Sequence, residues 1–210
     1  NVLGLLPPAE GLPPADGGGD APEYLVVGAH YDHLGYGETG SLARKGEEGQ
    51  IHNGADDNAS GVAVILELAA SLAEARRQLP ADFTRGIVFA LWSGEEIGLI
   101  GSSHFVEHST VPLQKVAAYV NFDMVGRLNE NKLVLQGAGS STVWRELAEK
   151  RNVPAGFNLV IQDDPYLPTD VTAFYPKEIP VVGFFTGSHE DYQRPTDAQE
   201  TINYEGMALV

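Results

Sequence analysis

Tyr24-Leu25-Val26-Val27-Gly28-Ala29 is an unbroken apolar run that ends on His30-Tyr31-Asp32. A run that is apolar at successive positions, rather than alternating, suits a strand buried on both faces. The same design recurs downstream. Gly86-Ile-Val-Phe-Ala-Leu-Trp92 leads into Ser93-Gly94-Glu95-Glu96, and the run from Val116 to Phe122 leads into Asp123. Each apolar strand hands the chain over to an acid or an imidazole.

Between these runs the period changes. From Asn58 onward Val62, Ile65, Leu66, Ala69 and Leu72 fall on one helical face, with Glu67, Glu74 and Arg77 elsewhere, and Pro80 limits the helix. A short first strand is expected at Val2 to Leu6, a Pro-, Gly- and Asp-rich loop at 7–22, and a Gly-rich charged excursion at 35–53. Further strands are expected at Lys132 to Gln136, Phe157 to Ile161 and Pro180 to Phe185, with helices at Ser102 to His108, Thr142 to Arg151 and from Tyr204. This alternation predicts an α/β three-layer sandwich, a mostly parallel mixed central sheet flanked by helices. Sites in such sheets form beyond the carboxyl ends of the strands, where the acids and histidines lie.

A chain of 210 residues that is 43% hydrophobic suffices for one domain with a substantial core, and no repeat period is visible. With 29 acidic against 13 basic residues and a formal charge of -16, the electrostatic footprint for nucleic acid or an anionic membrane is missing. A cationic or amine-bearing partner is better tolerated, although acidity also serves solubility. Cysteine is absent, so disulfides and thiolate chemistry are excluded and any metal must rest on His and carboxylate. No apolar run of about 18 residues is seen, so no membrane span is expected. The chain starts at Asn1 and stops in an apparently continuing helix, so the expectation is a single catalytic domain over 1–210 cut from a longer precursor. A secreted or periplasmic setting is expected ahead of a cytoplasmic one.

The motifs each carry a bland alternative. His30 closes a buried strand, and Asp32 two residues on is placed to accept from its other ring nitrogen and leave one free for a metal, or the two form a plain loop pair. Asp56 and Asp57 open the helix, where one carboxylate would serve as N-cap; two adjacent ones repel unless a cation lies between them. Glu95 and Glu96 point in different directions, so one suits metal binding and the other general base work, or both form a solvated turn. Asp123 follows an apolar strand and needs a partner, with Arg127 the nearby salt-bridge candidate.

In order and spacing, Gly28-Ala-His-Tyr-Asp-His-Leu-Gly35, Gly54-Ala-Asp-Asp-Asn-Ala-Ser-Gly61, Ser93-Gly-Glu-Glu-Ile-Gly98, Asn121-Phe-Asp-Met-Val-Gly126 and Phe185-Thr-Gly-Ser-His-Glu-Asp-Tyr192 together resemble the catalytic domain of the M28 peptidases, the dinuclear zinc aminopeptidase family. The resemblance covers nearly the whole chain. It implies Asp57 as a ligand bridging two zinc ions, just before a peptide bond to Asn58 that is usually cis in this family. It implies His30 and Asp123 as the other ligands of one zinc, Glu96 and a C-terminal histidine as those of the other, Glu95 as the base that deprotonates the attacking water, and Asp32 as the partner of His30.

The departure is at that C-terminal histidine. The matching position, after Tyr192 and four before Asp197, is Gln193, whose neutral amide oxygen is a poorer zinc donor than imidazole. His189 swinging in, weak binding by Gln193, an empty or oxygen-preferring second site and an introduced substitution all fit this change, and an altered second site is expected.

Residues Tyr166 to Phe174 resemble the segment that lines the family's substrate cleft, making Asp170 and Tyr192 candidates for substrate contact or oxyanion support, with loop packing as the alternative. No basic cluster accompanies the motifs to hold a substrate carboxylate, and the acid excess favours a free N-terminal ammonium. The resulting expectation is an aminopeptidase acting on peptides with a free N-terminus. The competing readings are a mono-zinc acyltransferase of the glutaminyl cyclase kind, and a weak or inactive homologue acting as a binding module.

Overall fold

The computed structural model describes residues 1–8, 22–76 and 85–210. The expected end of the first helix at Pro80, its Arg77, and most of the 7–22 loop lie outside the described residues.

Among the described residues seven strands form one mixed sheet: β1 (Val2–Leu6), β2 (Tyr24–His30), β3 (Gly86–Trp92), β4 (Val116–Phe122), β5 (Lys132–Gln136), β6 (Asn158–Ile161) and β7 (Val181–Phe185), in the spatial order β1-β3-β2-β4-β7-β5-β6. The central strands β3, β2, β4 and β7 are parallel, while β1 runs antiparallel to β3 and β5 antiparallel to β7. The helices are α1 (Gly61–Arg76), α2 (Ile100–Glu107), α3 (Val143–Ala155), α4 (Val171–Phe174) and α5 (Tyr204–Met207).

Alternation along the strands divides the core in two. Val26, Val88, Ala90 and Trp92 face one side, where they meet Phe105 of α2 and Phe174 of α4. Val27, Ala29, Ile87 and Phe89 face the other and meet Ile65 of α1. Gly28 sits where Trp92 and Tyr119 meet, and the Trp92 indole N–H donates to the Tyr119 hydroxyl at 2.8 Å, which donates to Asn121 Oδ1 at 2.6 Å.

The strands fall where the apolar runs place them, but the face of α1 is turned. Leu66 is 58% exposed, while Leu68 packs against the core beside Val62, Ala69 and Leu72. Leu66 stands roughly 100° round the helix from Ile65 and Leu68 roughly 60° on the other side, so a stripe centred on Ile65 takes Leu68. The helical run Ala55–Arg76 is long and apolar enough by composition to cross a membrane, although its apolar residues are interrupted by polar ones. In the fold it comprises an irregular turn at Ala55–Ser60, carrying Asp56 and Asp57, and a helix lying on the sheet.

The chain passes from β3, on one side of β2, to β4 on the other. That reversal of strand order opens a crevice beyond the carboxyl ends of the parallel strands. His30 ends β2 and Asp123 follows β4 at this point.

Candidate metal centre

His30, Asp57 and Asp123 converge at the crevice. The His30 Nε2 lies 3.2 Å from Asp57 Oδ1 and 3.5 Å from Asp123 Oδ1. His33, Asp57 and Glu96 form a second group: His33 Nδ1 lies 2.6 Å from Glu96 Oε1 and 3.9 Å from Asp57 Oδ2. Within each group the ligand-capable atoms all lie within 4.8 Å of one another, and Asp57 belongs to both.

The turn bearing Asp57 is held from several directions. The Asp197 carboxylate accepts the backbone N–H groups of Asp56 and Asp57, each with a contact at 3.0 Å. Asn58 donates its side-chain N–H to the Phe122 carbonyl at 2.9 Å and accepts from the Gly61 N–H at 3.0 Å. A Cβ on Gly61 would come within 2.4 Å of both Asn58 Oδ1 and the Phe122 carbonyl oxygen, so this close approach requires glycine. The peptide bond between Asp57 and Asn58 is cis, as the resemblance implies. Asp56 turns away from the crevice, accepting from the Gly126 N–H at 2.7 Å and pairing with His189 Nε2 at 3.1 Å.

Glu95 and Glu96 are placed by Asp32. After β3 the chain turns through Gly94 at φ 72, and the Asp32 carboxylate accepts the N–H of Glu95 at 3.1 Å and of Glu96 at 3.3 Å. Asp32 also stands beside His30, the partner expected for it. The Nδ1 of His30 is 3.1 Å from the backbone carbonyl of Asp32 and 4.0 Å from its carboxylate, because that carboxylate is committed to the neighbouring turn. A Nδ1–H donated to the carbonyl leaves Nε2 facing Asp57 and Asp123.

His30, Asp57, Glu95, Glu96, Asp123, Thr169 and Tyr192 line one cleft of about 240 Å³, and no Lys or Arg is among the described residues lining it. A larger groove of about 450 Å³ beside α3 is lined almost wholly by apolar residues and holds none of these groups. Burial and the adjacent carboxylates Asp123, Asp170 and Glu96 push the Glu95 carboxyl up to about 8, against the opposing pull of His30. Burial, with Asp123 and Glu96, also raises Asp57. For His30 burial opposes the charged form, but Asp123 and Asp57 outweigh it and hold the imidazolium well above its ordinary range. The Tyr192 hydroxyl is pushed up to about 12 by burial and by Asp57 and Glu96. The cleft is short of positive charge. Imidazole and carboxylate oxygens in two groups of three, sharing one carboxylate, fit divalent metal ions such as zinc.

Three other expected residues stand around this centre. His189 does not approach Glu96, because its Nε2 is taken by the fully buried Asp56. The Gln193 side-chain amide stands beside the site, its nitrogen 3.5 Å from Glu96 Oε2. Asp170 is 1% exposed and does not line the cleft, whereas its neighbours Leu167, Pro168 and Thr169 do; burial pushes its carboxyl up to about 7. Arg127, the alternative partner for Asp123, instead donates to Asp191 at 2.8 Å. Two residues were missed as contributors. His33 stands inside the Gly28–Gly35 motif, where a second imidazole is a visible signal, and Asp197 lies in the C-terminal motif without a local signal for its contact to the Asp57 turn.

The sequence profile of peptidase family M28 matches residues 13–210. An aminopeptidase of Pseudomonas aeruginosa strain UCBPP-PA14 is 37% identical over 123 residues, covering 58% of this chain and 19% of that protein. A zinc aminopeptidase from Bacillus subtilis shares the fold with a TM-score of 0.73 at 27% identity, over 98% of this chain and 46% of its own. A glutaminyl cyclase from Porphyromonas gingivalis shares the fold alone, with a TM-score of 0.66 at 19% identity over 89% of this chain and 69% of its own. The chain thus spans about a fifth of the Pseudomonas relative and about half of the Bacillus one.

Proposed function

Because the chain belongs to peptidase family M28, matched over residues 13–210, we propose that it is the catalytic domain of a zinc-dependent aminopeptidase that releases N-terminal residues from peptides. The observation that carries this reading is Glu95. It lines the same cleft as His30, Asp57, Glu96 and Asp123 yet belongs to neither donor group, so it is a carboxylate left over for proton transfer.

In this reading His30, Asp57 and Asp123 hold one zinc ion, and Asp57 and Glu96 contribute to a second. Bound zinc supplies Lewis acidity that makes water a nucleophile near neutral pH and polarises a scissile carbonyl. The protein's own groups do the rest. Glu95 takes a proton from the attacking water and returns it to the leaving amine, a part supported by the burial that raises its pKa toward the working range. Tyr192, on the cleft wall with its hydroxyl kept protonated, donates to the substrate carbonyl oxygen. The acid-lined cleft, with no Lys or Arg among the described residues lining it, favours the ammonium of a free N-terminus over a C-terminal carboxylate.

The test is hydrolysis of fluorogenic amino-acid amides by the zinc-loaded protein, beside the same substrates acetylated at the amine. Release of the fluorophore from the free-amine substrates alone, abolished by a chelator and restored by zinc, supports the reading. Conversion of an N-terminal Gln substrate to a cyclised product without cleavage would move the assignment to acyl transfer. No turnover and no bound metal would leave a binding module.

A further inference from the structure

We propose that His33 replaces the residue at position 193 as the imidazole ligand of the second metal centre, acting with Asp57 and Glu96. The proposal rests on the zinc reading above and concerns how this chain completes a site whose usual C-terminal position holds Gln193.

The two oxygens of Asp57 divide between two imidazoles. Oδ1 faces His30 Nε2 at 3.2 Å, and Oδ2 faces His33 Nδ1 at 3.9 Å. Glu96 is likewise approached on both oxygens, by His33 Nδ1 at 2.6 Å on Oε1 and by the Gln193 amide nitrogen at 3.5 Å on Oε2. Of these two neighbours only the imidazole is a good ligand. To a metal Gln193 offers only the neutral oxygen of its amide, a poorer zinc donor than imidazole, and its contact to Glu96 is at the limit of a hydrogen bond.

The surroundings are fitted to the His33 ring. Its side chain is 9% exposed, and its Nε2 is buried without a hydrogen-bond partner among the described residues. Ligation through Nδ1 would put the ring's proton on Nε2, and among the described residues the ionic groups within 4.0 Å of Nδ1 are the carboxylates of Asp57 and Glu96. Gly54 lies against the ring with φ 62; a Cβ there would come within 2.7 Å of the His33 Cγ. The loop carrying His33 is pinned by the His52 N–H, which donates to the Gly35 carbonyl at 2.8 Å.

Zinc content after dialysis and zinc retention against a competing chelator are measured for the full chain and for His33→Ala, Gln193→Ala and the double variant His33→Ala with Gln193→His. The expected result is two equivalents for the unaltered protein and for Gln193→Ala, one for His33→Ala, and two again for the double variant, where the imidazole returns from the other side. Long-range ¹H–¹⁵N spectra of the unaltered protein ask the same question without a substitution. The ring nitrogens of both His30 and His33 should shift on adding zinc. Retention of both equivalents by His33→Ala, loss of one by Gln193→Ala, or zinc-induced shifts at His30 alone would overturn the proposal. If His33→Ala keeps both zinc ions while the unaltered protein cleaves amino-acid amides, the ligand assignment falls and the peptidase reading stands. If the unaltered protein binds no zinc and shows no turnover, the peptidase reading falls as well.

Discussion

The carboxylate of Asp32 accepts the backbone N–H of Glu95 at 3.1 Å, tying the loop after β2 to the turn that carries the candidate base. The same carboxylate reaches the Glu96 N–H at 3.3 Å, so one side chain sets the direction of both glutamates. Asp32 is a positioning residue, and removing its second acceptor oxygen should loosen the turn without removing a ligand.

For Asp32→Asn we expect kcat to fall roughly 10- to 100-fold, as for other groups that orient metal ligands, with a smaller change in KM. Steady-state kinetics at saturating zinc, with the zinc content determined on the same sample, checks this. A kcat within about twofold of the unaltered protein would mean the turn is held by other contacts.

The metal-free protein should lose stability as pH rises. His30, Asp57, Glu95 and Asp170 all have pKa values raised by the fold, Glu95 to about 8 and Asp170 to about 7. A raised pKa contributes stability that is fully present below the unfolded value and is lost as pH climbs through the folded one. Asp191, whose pKa is lowered from 3.8, contributes stability only above its unfolded value and adds little slope in the same window. Melting temperatures in chelator should therefore decline from about pH 5 to about pH 8, and zinc should oppose the decline because it binds the deprotonated ligands. A flat or rising melting temperature in chelator would contradict this.

Gly28→Ala should destabilise the fold by about 1–3 kcal/mol, the usual cost of overpacking a core. An added Cβ would lie 2.5 Å from Trp92 Nε1 and 3.0 Å from the Tyr119 hydroxyl, and both side chains are fully buried. Urea unfolding followed by tryptophan fluorescence measures the change. Unaltered stability would show that the Trp92–Tyr119–Asn121 chain can shift at no cost.

These relationships also mark what could be read from the sequence. Strands buried on both faces announce themselves as apolar runs, so Gly86 to Trp92 and Val116 to Phe122 fall where expected, and the acids that follow them meet at one crevice. Helical periodicity is looser: several stripes fit Val62 to Leu72, and contact with the sheet selects the one containing Leu68 rather than Leu66. Less legible still were pairings between residues far apart in the chain. Asp197 holding the N–H groups of Asp56 and Asp57, Asp32 holding those of Glu95 and Glu96, and His189 turning to Asp56 depend on loop paths that no local pattern specifies. His33 is visible as a second imidazole in its motif, but the meeting of its ring with Glu96 across 63 residues of chain is not.

The most direct test of a metal-dependent peptidase with Glu95 as its base is Glu95→Gln, assayed for zinc content and for turnover of an amino-acid amide. Glu95 lies outside both donor groups, so zinc content should equal that of the unaltered protein. Losing a general base should lower kcat by about 10²- to 10⁴-fold. Full zinc occupancy with kcat unchanged would contradict the account.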